Sequence, residues 1–82
     1  MLKIAYSKLA RKALRGMPSN EARRIIGRIE AYAADPRGQG QDVTRMQGRD
    51  GYRMRVGRTW RVIFDHDGAV HEIGPRGQVY DR

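Results

Sequence analysis

An α+β domain is predicted from the order in which patterns occur along the chain. A short alternating segment comes first, two amphipathic helical stretches follow, and only then do strand-like segments accumulate. Strands gathered after helices favour helices packed on one face of an antiparallel sheet. The 82 residues suffice for one domain, spanning 1–82. A domain this small buries a modest share of its surface, so its stability margin is thin.

The first strand is expected in Leu2-Lys3-Ile4-Ala5-Tyr6, where apolar and polar residues alternate. Ser7 is a good N-cap for the helix that follows. In that helix Leu9, Ala10, Ala13, Leu14 and Met17 recur at helical spacing. Gly16 suits its C-terminal cap and Pro18 stops it. Ser19 is positioned to cap a second helix, with Glu21 near its N-terminus. Ala22, Ile25, Ile26, Ile29, Tyr32 and Ala33 make its apolar stripe, opposite Arg23, Arg24, Arg28 and Glu30. Asp35-Pro36 ends it, because the residue before proline avoids helical geometry.

Arg37 to Gln41 reads as loop, and Val43 to Met46 as a short strand or extended lead-in. Strict alternation then begins. Tyr52, Met54 and Val56 share one face and Arg53 and Arg55 the other; Trp60, Val62 and Phe64 oppose Arg61, Ile63 and Asp65. Gly57-Arg58-Thr59 is a three-residue hairpin loop. His66-Asp67-Gly68 makes the next turn, Ala69 to Ile73 the next strand, and Gln78 to Tyr80 a short last one.

Lys plus Arg total 17 against 9 acids, a net charge of +8, and 14 of the 17 are Arg. The guanidinium is a planar fork that matches phosphate and stays charged near neutral pH. Such a surface points to an anionic partner, nucleic acid or acidic protein, rather than to solubility alone. There is no cysteine, hence no disulfide and no thiolate metal site, and two histidines alone cannot hold zinc. No metal or other cofactor is expected. No apolar run approaches the ~20 residues of a membrane span, and the N-terminus lacks a signal-peptide core. A cytoplasmic protein without a membrane partner is the expectation.

The central hairpin carries the chemistry. Its apolar face must pack under the helices, which leaves Arg53, Arg55 and Arg61 on the other face. With Gly57 to Thr59 as the loop, Val56 pairs with Trp60 and Arg55 stands opposite Arg61. Opposed like charges destabilise a sheet by about 0.2–1 kcal/mol, a repulsion that a bound anion resolves. Three guanidiniums on one face suit a phosphate. The competing reading is three ordinary solvated arginines, and the pattern alone names no reaction. Trp60 and Tyr52 read as core, and His66 and His71 as passive. The arginines of the second helix read first as a solvated face, with phosphate contact as the alternative.

The stretch Tyr52-Arg-Met-Arg-Val-Gly-Arg-Thr-Trp-Arg-Val-Ile-Phe64 resembles the central hairpin of the RelE/ParE toxins. Ile73-Gly-Pro-Arg-Gly-Gln-Val-Tyr80 resembles their terminal motif, and the Asp35-Pro36 helix end also fits. The ordered set spans essentially the whole chain. The resemblance implies a β-α-α-β-β-β(-β) fold and the toxin role of a type II toxin–antitoxin system. In the RelE-like branch, favoured because Arg76 and Tyr80 match its terminal motif, it implies a metal-independent, ribosome-dependent mRNA endonuclease. Arg53, Arg55, Arg61, Arg76 and Tyr80 then match the catalytic positions. Arg58, Arg23, Arg24 and Arg28 are candidates for RNA phosphates. Tyr80 either acts as an anion favoured by the arginines or stacks on a base. The chain has Arg53 and Arg55 where these toxins often have Lys, and Pro75-Arg76-Gly77 where they have His-Arg-Arg. A proton acceptor is therefore sought among Tyr80, His71 and Glu72. The resemblance further implies a cognate antitoxin, acidic and from the same operon, with mRNA and the ribosome as targets. The alternatives are a ParE-like DNA gyrase poison and a non-catalytic basic nucleic-acid-binding module.

Overall fold

The structure, a computed structural model, describes residues 3–48 and 50–75. The expected strand at Gln78 to Tyr80 lies outside them, as does Leu2. In order, the elements are β1 (Ala5–Tyr6), α1 (Lys8–Arg15), α2 (Ser19–Ala34), a 3-10 turn (Gly40–Asp42), β2 (Val43–Arg45), β3 (Tyr52–Val56), β4 (Trp60–Phe64) and β5 (Ala69–Pro75). They form the predicted α+β fold.

Ser7 is extended and caps α1, its Oγ accepting from the Ala10 N–H at 3.0 Å. The same hydroxyl donates to the His71 carbonyl at 2.7 Å, and the Ser7 N–H donates to the Val70 carbonyl at 2.9 Å. One residue thus starts the helix and fastens it to β5. Gly16 ends α1 in ordinary right-handed geometry, with φ −86°. The second helix begins one residue earlier than its sequence implies. Pro18 is the N-cap and its carbonyl accepts from the Glu21 and Ala22 N–H groups, both at 3.0 Å. Ser19 therefore occupies the first helical position and caps nothing. The proline ring already fixes a φ compatible with entry into the helix.

The sheet order is β1-β5-β4-β3-β2. Strands β2 to β5 are antiparallel to their neighbours, while β1 joins β5 in parallel, with Ala5 opposite Ala69. The sheet is therefore mixed, because the helical hairpin carries the chain from β1 back across the face instead of turning it beside its neighbour. Ala10 of α1, Ile25 and Ile29 of α2, and Met54, Val56, Val62, Phe64, Val70 and Ile73 of the sheet are buried together. Tyr32 meets Phe64 edge-on at 5.2 Å and Tyr52 stacks on it at 5.7 Å. Full burial of one large apolar side chain contributes about 1.5–3 kcal/mol, so this cluster holds the helices to the sheet. The N-terminus of α2 is fixed to the hairpin by a polar bond as well: Trp60 Nε1 donates to Glu21 Oε1 at 2.8 Å. Trp60 and Tyr52 pack against the core, as their alternation implies.

Candidate nucleic-acid interface

The hairpin register is the one that the sequence dictates: Val56 opposes Trp60 and Arg55 opposes Arg61 across the Gly57–Thr59 loop. Arg53, Arg55 and Arg61 consequently share the face turned away from the helices. They are not equally displayed there. The Arg55 side chain is 61% exposed, Arg53 is half-buried, and Arg61 is only 4% exposed. Ile63, on the same face, is 1% exposed. The competing reading, three ordinary solvated arginines, therefore does not hold for Arg61. Arg61 lies in the central strand, flanked by β3 and β5, and its Nη1 donates to the Trp60 carbonyl at 3.0 Å. Its guanidinium is therefore held, whereas that of Arg55 is accessible.

Beside Arg53 and Arg55 lies a polar hollow of about 100 Å³, completed by Gln41, Asp42 and Thr44. The 3-10 turn and the strand β2 that follows it bring these residues in, since Thr44 pairs with Arg53. Asp42 is a residue that sequence reasoning missed. Its carboxylate stands 3.7 Å from Arg55 Nη2 and 3.8 Å from Arg28 Nη2. Those separations exceed hydrogen-bond length, so the ion pairs are loose and Arg55 is open to a closer anion. The only sequence signal was the possible strand at Val43 to Met46. Its register against β3, which places Asp42 here, had no turn motif to fix it.

The helix arginines divide. Arg28 is half-buried, and its Nη2 donates to the Gln39 carbonyl at 2.8 Å in addition to its ion pair. It props the segment that carries Asp42 and is less available to RNA than its place on the polar face implied. Arg23 and Arg24 are exposed, as is Arg58 in the hairpin loop. The Arg24 guanidinium lies against Gly57, so the hairpin tip and α2 bring Arg24 towards Arg58. Arg76 and Tyr80 lie outside the described residues.

His71 is the extra residue of a bulge, since Ile63 pairs with Glu72 and Phe64 with Val70. Its Nε2 lies 3.2 Å from Asp65 Oδ2. Burial raises the pKa of Asp65, but N–H groups of Ala69 and Asp67 and the His71 ring outweigh it, holding the carboxyl below its ordinary value. Arg61 opposes Gly74, three residues further along β5, so His71 stands roughly 10 Å from that position along the strand. Glu72 shares the arginine face. Burial raises the phenols of Tyr6 and Tyr32, helped by Glu30 and Tyr52 respectively, which suits structural tyrosines. Among the described residues no helix is long and apolar enough to cross a membrane, and no three His, Asp or Glu side chains gather as a metal site.

The arrangement offers the Arg53 and Arg55 guanidiniums at a polar hollow, with Arg61 held on the same sheet face, which fits phosphate oxygens. No family model matches the sequence, and no curated protein matches it. A solved structure does. A chain of the archaeal RelE–RelB complex from Pyrococcus horikoshii OT3 aligns with a TM-score of 0.69 and 27% identity, over 94% of this chain and 97% of that one. The chain is RelE-like. The RelE likeness covers both helices and the sheet, so the arginine face sits within the shared fold and not on an appendage.

Proposed function

We propose that this RelE-like protein is the toxin of a type II toxin–antitoxin pair and acts as a ribosome-dependent mRNA endonuclease. The observation that carries the reading is the trio Arg53, Arg55 and Arg61 on one face of the central hairpin, in a chain that shares its fold with a member of a RelE–RelB complex. RelB in that complex supports an antitoxin partner here, and the net charge of +8 favours an acidic one.

In the proposed reaction the RNA 2′-oxygen attacks the adjacent phosphorus. The O2′–P bond forms, the P–O5′ bond breaks, and the products are a 2′,3′-cyclic phosphate and a 5′-hydroxyl. The proton leaves O2′ for a base, and O5′ takes one up as it departs. Arg55 meets the non-bridging oxygens from solvent, and Arg61, already fixed, stabilises the charge that grows on them without reorganising. Arginine does not accept the proton. His71 is engaged with Asp65 away from the trio, so Glu72 and Tyr80 are the acceptors placed in this scheme. Arg76 joins the charge stabilisation, while Arg58, Arg24 and Arg23 hold flanking phosphates.

The test is brief induction in cells without the antitoxin, following amino-acid incorporation and primer extension on an abundant mRNA. Translation should stop and new 5′ ends should fall within codons. Arg61→Met, which keeps the volume of a buried side chain, should stay folded and lose both effects. Continued translation with intact mRNA, an SOS response and stalled replication would place the protein with the gyrase poisons instead.

A further inference from the structure

Helix α1 presents a face that the arginine site does not use. It carries four cations, Lys8, Arg11, Lys12 and Arg15, all exposed, and no acid. Lys8 with Lys12, and Arg11 with Arg15, are like-charge pairs four residues apart, which oppose helix formation. Lys8 also occupies the first turn, where the helix dipole disfavours a cation. Among the described residues none of the four has an acidic partner. Between them Leu9 is 56% exposed, a large apolar side chain left in water. A shallow, largely apolar depression of about 450 Å³ runs over Lys8, Leu9, Lys12 and Arg15. A single exposed leucine needs no explanation. Lys12 and Arg15 do complement the dipole in the last turn, but that accounts neither for Lys8 and Arg11 nor for a leucine framed by four unpaired cations over an apolar depression.

We propose that this face docks an acidic amphipathic segment of a partner protein, one apolar side chain covering Leu9 and its carboxylates meeting Lys8, Lys12 and Arg15. Leu9 decides for protein over nucleic acid, because a phosphate backbone gains nothing from an apolar centre, whereas a segment with both characters satisfies leucine and cations together. The kind of partner rests on the toxin–antitoxin reading; the location and its consequence are new. Ala10 of α1 is buried in the core on the inner side of the sheet, and Arg53, Arg55 and Arg61 face the other way. A segment on α1 therefore leaves the arginine face open, and the two ligands bind at once.

The experiment uses the whole chain and three labelled probes. The first is an acidic peptide of about sixteen residues, four helical turns, with leucines at helical spacing among glutamates. The second is the same peptide with serine for leucine, and the third is a single-stranded 2′-O-methyl RNA oligonucleotide, which lacks the attacking hydroxyl. Anisotropy should show binding of the leucine peptide, weakened about tenfold or more by Leu9→Ser. Lys12→Glu with Arg15→Glu should abolish it. Oligonucleotide affinity should be unchanged by Leu9→Ser and by saturating peptide. Equal binding of the two peptides, indifference to Leu9→Ser, or competition between peptide and oligonucleotide would overturn the proposal. A peptide that binds through Leu9 while the oligonucleotide does not bind at all upholds the docking face and removes the RNA reading instead.

Discussion

Gly57 opens the β3–β4 loop with φ +62°, in the left-handed region. An alanine there would carry its Cβ 2.5 Å from Arg24 Nη2 and 3.1 Å from Cζ. Two costs are therefore in play and they differ in size. An L-residue in left-handed geometry costs about 1–2 kcal/mol. The overlap with Arg24 costs little, because the guanidinium is the far end of an exposed, flexible side chain and swings aside. Gly57→Ala should accordingly lose about 1–2 kcal/mol, nearly all of it from the backbone. Urea unfolding followed through Trp60, the one tryptophan of the chain, reads this as a midpoint lowered by about 0.5–2 M at unchanged slope. Arg24→Ala alone should stay within about 0.5 kcal/mol of the parent. The double variant should match Gly57→Ala to within about 0.5 kcal/mol. Gly57→Asn should recover part of the loss, since asparagine tolerates the left-handed region. Recovery of most of the stability in the double variant would show that steric overlap sets the cost. Asn behaving no better than Ala would count against the conformational argument.

Three further outcomes are expected. Ser7→Ala removes both the α1 cap and the bond to His71, about 1 kcal/mol each, so thermal unfolding should fall by roughly 8–16 °C while Ser7→Thr stays near the parent. Asp65 has a folded pKa below its ordinary 3.8, so its contribution is complete above that value and is lost as pH falls through the lower folded value. The stability gap between the parent and Asp65→Asn, measured in urea, should therefore shrink as pH falls below 3.8, and a gap that is constant or widens would contradict the sign. Asp42→Asn frees Arg55 of a competing carboxylate 3.7 Å away. Single-stranded RNA should bind more tightly at low salt, with the slope of log K against log salt steeper by about 0.7 for one added phosphate contact. An unchanged slope would mean that Asp42 does not compete.

The central hairpin was legible because strict alternation fixes face and register together. Once Gly57–Thr59 is the loop, Val56 must meet Trp60 and Arg55 must meet Arg61. Ser7 was legible because a cap is a local event. Ser19 was displaced by one residue, since Pro18 supplies the first helical carbonyl, a preference that competes with the serine hydroxyl. The parallel placement of β1 was not legible, because a short alternating segment carries no information about its partner. Nor was the burial of Arg61 and Ile63. Alternation tells which face a side chain takes, not how closely its neighbours cover it. Asp42 escaped for a similar reason, as its role depends on the register of a three-residue edge strand with no hydrophobic period.

The pairing of β1 with β5 also sets a timetable. Ser7 and His71, which join the two strands through one hydrogen bond, are 64 residues apart. Synthesis proceeds from the N-terminus, so β1 and both helices leave the ribosome before the strand that floors them exists. Gly74, the neighbour of Arg61 across the sheet, arrives on that same late strand. The arginine face is thus among the last parts to be assembled. Until β5 has been made, a nascent chain carries Arg61 on a strand with one side uncovered, and so has no finished arginine face to offer an anion.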